Sequence, residues 1–428
     1  MAGGAGDHFA QVPGQNGRAP LGVPARPQLL KRRNLALVLG EIATSKRLSR
    51  AQLSSRTGLT KATVSTLVDA LMEAGLVVEH DPERGLIGRP GSPVTLNPRG
   101  PAGLGIEINV DYVSLCVVDL AGAVRHRRML SGDNRLLSPD VVLKRAARVA
   151  TELCDEADGS GLTVAGLGVG VPGLVDFDGV LHRAPNLLRW QGMAVAEQIS
   201  DLVGRPLKAV YCDNEANLAA LGELWFTRRP GLFDFVLVSG EIGVGAGIVI
   251  GGELFRGVRG LGGELGHVTV DPTGPPCSCG GRGCLETVAG QEALLKATGL
   301  APGPASAISG PGGPAAELVA RAVGGDETTV AAIEKAGRAL GIALSAFLNV
   351  LDLPTVVLGG LYAELSPWLV GPVTAELVDR VVNYSWSPTE VVVSSLGGDA
   401  SVRGAAGIST RRIIDDPAAF FPDVLTKS

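Results

Sequence analysis

Apolar residues in the first hundred positions fall on helical spacing. Leu35, Val38, Leu39 and Ile42 share one face and predict a helix over Lys31–Ser45. Ser49 is placed to cap a second, short helix from Arg50 to Arg56, which stops at the turn Thr57-Gly58-Leu59. Thr60 then caps a third helix, Lys61–Ala74, whose inward face is Val64, Leu67, Val68 and Leu71, and Gly75 ends it. Beyond it the period changes: Leu76–Glu79 and Ser92–Leu96 read as two strands around a basic loop. Helix, short helix, tight turn, helix and a two-stranded wing is the winged helix-turn-helix layout, here over residues 28–99. Residues 1–27 are rich in Gly, Ala and Pro and read as a disordered tail, with order expected to begin near Leu29.

From Ala102 onward strands and helices alternate. Leu104–Val110 and Ser114–Asp119 are β-rich around a turn at residues 120–123, and Pro139–Asp155 is an amphipathic helix. Val164–Val171 and Lys208–Cys212 read as strands, the latter leading into a helix over Glu215–Trp225. Phe233–Ser239 and Ala246–Ile250 form a hairpin around a Gly-rich turn. Residues 301–314 are a low-complexity Pro/Gly/Ala/Ser loop. A periodic helix over Thr328–Leu351, strands at Thr355–Leu358 and Glu390–Ser395, and a helix over Ala400–Ile414 close the chain. This alternation predicts an α/β body over residues 100–428, in two lobes with a cleft between them.

Charge sharpens the division. Residues 28–99 hold eleven Lys/Arg against six Asp/Glu, whereas residues 100–428 carry a net charge of −11. A basic module on an acidic body points to one polyanion-binding region. The first turn of the third helix fits a major groove: Thr60, Lys61, Thr63 and Ser65 are short or basic, and Arg56 lies on the helix before it. Arg89, within Gly88-Arg89-Pro90 of the wing, suits a minor groove or a phosphate. A three-helix protein-interaction module is the alternative; caps, turn and wing in their expected places favour double-stranded DNA. No basic start with an apolar run marks a signal peptide, and no run of about 18 apolar residues marks a membrane span, so a cytoplasmic location is expected.

Six cysteines do not form a secreted disulfide framework. Cys116, Cys154 and Cys212 lie in apolar surroundings and read as core residues. The other three lie in Gly260–Thr287, GLGGELGHVTVDPTGPPCSCGGRGCLET, spaced C-x-C-x4-C with His267 ten residues upstream of Cys277. One imidazole and the thiolates of Cys277, Cys279 and Cys284 can close a tetrahedral structural Zn²⁺ site across residues 267–284. Such a Gly- and Pro-rich loop gains order from a metal clip, which would aim Glu264 and Glu286 into a shared pocket. Unrelated buried or free cysteines are the plainer alternative, and the spacing argues against it.

Four stretches together resemble the ROK family (repressors, ORFs, kinases): residues 166–190, CDNEANLAALGEL at 212–224, residues 260–287, and VVLGG at 356–360. The resemblance spans roughly 102–415. It implies a two-lobed actin/hexokinase-like ROK domain following the winged head, similar to the family's xylose- and N-acetylglucosamine-responsive repressors. It also implies sugar-binding roles for Asn186, Asn214, Glu215, Glu264, His267 and Glu286. Carboxylates and amides suit adjacent sugar hydroxyls, which both donate and accept.

Departures from the family's kinases bear on activity. Where the resemblance places an Asp-x-Gly-x-Thr phosphate turn, this chain has Glu107-Ile108-Asn109-Val110-Asp111. The glycine that permits close phosphate approach is gone, and Asp111 replaces a hydroxyl. A second phosphate loop reads Gly240-Glu241-Ile242-Gly243, and Glu215 stands at the position of the catalytic Asp. Misplacing a base by about 1 Å costs on the order of a hundredfold in rate. The chain is therefore expected to be a sugar-responsive DNA-binding regulator, most simply a repressor of carbohydrate-metabolism genes, working as a dimer or tetramer and not as an enzyme. The alternative is an ATP-dependent sugar kinase that kept a DNA-binding head.

Overall fold

The computed structural model describes residues 27–45, 47–81, 92–227, 229, 231–300 and 313–426. Residues 1–26 of the proposed tail, most of the 301–314 loop and the wing residues Gly88-Arg89-Pro90 lie outside the described residues, whereas Pro27, read as part of the tail, belongs to the first helix. Local signals in the head act as read. Helix α1 (Pro27–Ser45) begins four residues before Lys31, with Pro27 in its first turn. A two-residue strand, β1 (Leu48–Ser49), precedes α2 (Arg50–Thr57). Ser49 and Gln52 form a reciprocal capping box, and Gly58 closes α2 at φ +71°, a conformation that favours glycine. Thr60 caps α3 (Lys61–Glu73), its hydroxyl accepting from the amide of Thr63 at 3.2 Å. Strands β2 (Val77–Glu79) and β3 (Pro93–Leu96) pair antiparallel, and β1 adds to the far side of β3.

One brace in the head carries no local signal. Arg50 donates to both carboxylate oxygens of Glu79 at 3.0 Å and to the carbonyl of Ser65 at 3.2 Å, and lies 2.7 Å from Asp69. A single guanidinium fork thus joins α2, α3 and β2.

The first lobe contains β4 (Pro101–Ile108), β5 (Tyr112–Asp119), β6 (Val124–Ser131), α4 (Pro139–Gly159), β7 (Thr163–Val171), β8 (Leu174–Val175) and β9 (Val180–Arg183). It continues through β10 (Met193–Ala194), α5 (Val195–Val203), β11 (Ala209–Asn214) and α6 (Glu215–Phe226). Its main sheet has the order β11-β7-β4-β5-β6, with β11, β7 and β4 parallel. Strand β6, VRHRRMLS, is exposed along most of its length, so no alternation announces it.

The second lobe contains β12 (Phe235–Gly240), β13 (Val244–Ile250), β14 (Glu253–Phe255), α7 (Glu286–Ala289), α8 (Gln291–Ala297), α9 (Pro314–Val323) and α10 (Glu327–Leu351). There follow β15 (Thr355–Gly360), α11 (Leu361–Glu364), α12 (Ser366–Arg380), β16 (Glu390–Val393), α13 (Ala400–Asp415), α14 (Pro417–Phe420) and α15 (Pro422–Leu425). Its sheet, β14-β13-β12-β15-β16, repeats the first lobe's plan: an antiparallel meander on one side of a central strand, two parallel strands on the other. The expected two-lobed α/β body is therefore a doubled one.

Helix α13 lies directly on the first sheet. A Cβ added to Gly103 would stand 2.1 Å from the carbonyl oxygen of Ala406, and one on Gly168 the same distance from that of Ala405. Glycines at these sites let a helix rest on strand backbone. Cys116, Cys154 and Cys212 are buried, as expected.

The head does not complete its own core. Leu35, Leu39, Leu53, Leu71 and Val94 belong to one buried apolar cluster with Ile413, Ile414, Ala418, Phe420 and Leu425. Arg32 donates to Asp416 at 2.7 Å across 384 residues of sequence. Among the described residues no helix is long and apolar enough to cross a membrane.

Candidate functional site

A cleft opens where the N-terminus of α6 meets the β12–β13 turn and the loops at 172–175, 185–186 and 260–267. Its walls include Asn186, Asn214, Glu215, Glu264, His267 and Glu286, all six of the residues singled out from sequence. Asn214 is the N-cap of α6: its side-chain oxygen accepts from the amide of Ala216 at 2.8 Å and its amide donates to the carbonyl of Gly173 at 3.0 Å. Glu215 follows with one carboxyl oxygen buried and without a partner. Burial pushes Glu215 well above the carboxylate range, and Glu107, Glu264 and Glu241 add to that. Glu264 and Glu286 are also raised by burial, each opposed by His267.

Beneath this wall lies an anchor that motif reading did not isolate. Asp213 is fully buried and accepts from the amide of Asn214 (2.8 Å), Asn217 Nδ2 (2.9 Å), the hydroxyl of Tyr211 (2.7 Å) and Arg256 (3.2 Å). Arg256 also donates to the carbonyl of Asp176 at 2.9 Å and lies over the Phe177 ring. Its only sequence signal is as one of two arginines, with Arg259, in a Gly-rich run.

On the side of the cleft formed by residues 107–112 and 239–243, polar side chains engage one another. Asn109 donates to the Tyr112 hydroxyl at 3.2 Å, and that hydroxyl donates to Glu107 at 2.7 Å. The Glu241 carboxylate lies 3.3 Å from the Ser239 hydroxyl and 2.6 Å from where a Cβ on Gly360 would stand. Burial pushes Glu107 up to about 7 and Glu241 up to about 8, the latter helped by Glu107 and Asp111.

These shifts have a pH consequence. Both folded-state values exceed the ordinary 4.5, so across that window the folded chain keeps protons that the unfolded chain has lost. Stability therefore falls as pH rises from about 4.5 to about 8. Glu241→Gln removes that buried titration and is expected to add at most a few kcal/mol of stability at about pH 8, seen as a higher Tm, and little at about pH 5. Thermal melts across that range check this; a difference independent of pH refutes it.

The four candidate metal ligands converge. One ligand atom from each of His267, Cys277, Cys279 and Cys284 lies within 4.8 Å of all the others. Cys279 Sγ–Cys284 Sγ and Cys277 Sγ–His267 Nδ1 are both 3.7 Å, close to the ~3.8 Å edge of a tetrahedron with Zn–S of about 2.3 Å. The donor set fits Zn²⁺. His267 turns Nδ1 to this cluster and Nε2 to Glu264, 3.8 Å away, so a metal on one nitrogen would fix how the other faces the cleft. Antiparallel bridges Thr269–Cys284 and Pro276–Arg282 organise the loop, and Glu286 follows Cys284 by two residues.

On the head, Thr60 and Lys61 are exposed at the N-terminus of α3, and Thr63 and Ser65 are half-buried. The Thr63 hydroxyl lies 2.9 Å from that of Thr60. Arg56 contacts Ser45 and lies 3.5 Å from Glu41, so it is tied back to α1. Arg89 lies outside the described residues.

Comparison with known proteins agrees with this architecture. The ROK family profile matches residues 103–412 and the MarR family profile matches residues 33–85. The xylose repressor of Bacillus subtilis is 31% identical over 388 residues, 90% of this chain and 97% of that protein. The glucokinase of Thermotoga maritima is 30% identical over 323 residues, 70% of this chain and 98% of the kinase. A crystal structure of a ROK family transcriptional regulator, a homolog of the E. coli MLC protein, superposes with a TM-score of 0.74 at 24% identity, covering 93% of this chain and all of that one.

Proposed function

The chain belongs to the ROK family, and from that premise we propose that it is a cytoplasmic, sugar-responsive transcriptional repressor of carbohydrate-metabolism genes. The observation that carries this reading is the divided state of the cleft. Groups suited to sugar hydroxyls remain together on one side, while Glu107 and Glu241 occupy the side where a kinase needs room and positive potential for phosphates. Such a cleft binds without transferring phosphate. The winged head, with Thr60, Lys61, Thr63 and Ser65 toward a major groove, supplies the output. Arg56 and Arg89 are assigned supporting contacts to the DNA backbone or minor groove. Two heads of a homodimer, or of a tetramer, would meet half-sites about one helical turn or a multiple apart.

The lining also selects the effector. No Lys or Arg appears among the described residues of the cleft wall, and four glutamates do. A sugar phosphate would find no Lys or Arg in this wall to pair with, so the effector is a neutral monosaccharide held by Asn186, Asn214, Glu215, Glu264, His267 and Glu286. A structural Zn²⁺ on His267, Cys277, Cys279 and Cys284 would order the loop that presents two of them. Sugar binding lowers operator affinity, by no more than its preference for the released conformation.

A second reading, a sugar kinase with a DNA-binding head, is favoured by one observation: Glu215 stands at the base position, and burial raises its pKa and with it its basicity. Thermal denaturation with D-xylose, D-glucose, N-acetyl-D-glucosamine and their phosphates, with and without Mg-ATP, separates the two. A ligand at about 100 Kd adds roughly 2.7 kcal/mol. A shift with one neutral sugar, lost in Glu264→Ala while DNA binding persists, is the expected result. A shift with Mg-ATP followed by ADP release would replace this reading with the kinase.

A further inference from the structure

Strand β11 runs from the cleft to the junction between body and head. Six residues at about 3.3 Å each span roughly 20 Å. Asp213 and Asn214 stand at its cleft end. At its other end Ala209 lies in the same buried cluster as the head's Leu35 and Leu71. Lys208, just before the strand, donates to the carbonyl of Phe420, and its ammonium lies 4.5 Å from the centre of the Phe421 ring. Midway, Tyr211 is held from both directions: its hydroxyl donates to Asp213 at 2.7 Å, and the Arg412 guanidinium of α13 covers its ring at 5.2 Å.

The C-terminal segment that β11 grips is the same one that closes the head. Ala418, Phe420 and Leu425 complete the head's apolar core, and Asp416 receives Arg32 of α1. Helix α15 packs against α3, the helix whose N-terminus carries Thr60 and Lys61. Two routes therefore leave Asn214: one through Asp213 and Tyr211 to Arg412 of α13, the other along the β11 backbone to Lys208 and Phe420, and both reach the C-terminal segment that packs on α1 and α3.

We propose that Tyr211 and Lys208 are positioning residues that transmit occupancy of the cleft to the head, through the grip of β11 on residues 412–425. The inference rests on the sugar-responsive reading above and adds to it the physical link. Sugar engaging Asn214 and Glu215 shifts the end of β11 and α6. Because Asp213 ties that end to Tyr211, the shift reaches α13 and the C-terminal segment, and so alters how α1 and α3 are propped. Neither Tyr211 nor Lys208 is among the described residues lining the cleft, and neither lies in the head. Their replacement should leave both binding events intact and remove only the communication between them.

The test uses the full chain, a DNA duplex enriched by the wild-type chain from a random-sequence library, and whichever of D-xylose, D-glucose and N-acetyl-D-glucosamine raises its Tm. Duplex affinity is measured by fluorescence anisotropy with and without saturating sugar, and sugar affinity by calorimetry without DNA. In the wild type, sugar should weaken duplex binding about tenfold or more. In Tyr211→Phe and in Lys208→Gln that ratio should fall below about threefold, with each separate affinity within about threefold of wild type. Variants that keep the full ratio overturn the link, as do variants that lose sugar or duplex binding outright, since those residues are then parts of a site or of the head's support. A wild type whose duplex affinity ignores every sugar overturns the functional reading, and the link with it.

Discussion

Cys279→Ser is expected to strip the metal from the 267–284 loop and to abolish the response to sugar. The loop has two isolated bridges and short-range backbone hydrogen bonds, such as Cys277 to Gly281 and Gly283 to Pro275, but no regular strand, and the four converging side chains tie its ends together. Structural zinc contributes on the order of 10 kcal/mol or more to such elements, and a serine hydroxyl is a poor substitute for a thiolate. Losing a ligand should lower metal affinity by more than the roughly 10- to 100-fold that loss of an outer-shell partner costs. His267 and Glu286 flank the cysteines, and both lose their placement in the cleft when the loop opens. Zinc content by atomic absorption, with sugar-dependent melting, checks the prediction, and a chelator on the wild type should reproduce the defect. Full zinc content and an unchanged sugar shift in the variant would remove Cys279 from the ligand set.

Gly168→Val is expected to prevent stable folding. The added Cβ would meet the carbonyl oxygen of Ala405 at 2.1 Å and its carbon at 2.7 Å, and both are backbone atoms of α13. No side chain can turn aside to relieve this contact, so the helix must lift from the sheet. The same helix packs on α6 and bears Ile413 and Ile414 of the head's core, so the damage reaches both lobes and the head. The cost should exceed about 4 kcal/mol, beyond the ordinary 1–3 kcal/mol of overpacking. Gly159, at the end of α4 with nothing within 4 Å of an added Cβ, is the internal control. Gly159→Ala should be neutral or slightly stabilising. Urea unfolding of both variants decides it: a Gly168→Val chain within about 1 kcal/mol of wild type would mean that α13 does not need this close approach.

Much of the fold was legible where a signal is local. Ser49 with Gln52, Thr60 with Thr63, and Gly58 between them are capping and turn devices only a few residues long, and they mark the head's helices directly. The periodic stretch at 328–351 became α10 for the same reason. Elements whose pattern is weak or contradicted were missed. Strand β6 is exposed and basic, and pairing with β5 alone holds it in the sheet. Helix α12 contains Pro372 and still continues, because Leu369, Val373 and Leu377 are buried. At the site, the cysteine spacing and the Glu-x-x-His pair stood in one stretch. Asp213 lay unnoticed inside a recognised motif, and Arg256 has meaning only through the carbonyls and carboxylate it reaches from another loop.

The sequence by itself determined the winged head, the grouping of His267, Cys277, Cys279 and Cys284 as candidate metal ligands, and the departures that put Asn109 where the family's kinases keep a glycine and Asp111 where they keep a hydroxyl. The candidate ligand set lies within residues 267–284, and the head is a succession of short capping, turn and periodicity signals. Only the tertiary structure decided that Tyr112 donates to Glu107 beside the cleft, that Arg50 braces the head, and that the head's core is closed by residues 413–425. Those facts join groups as far apart as Arg32 and Asp416, 384 residues along the chain. Periodicity and spacing report which face of an element is apolar. They cannot report which distant surface covers it, because that partner is selected by shape and burial once the whole chain has collapsed.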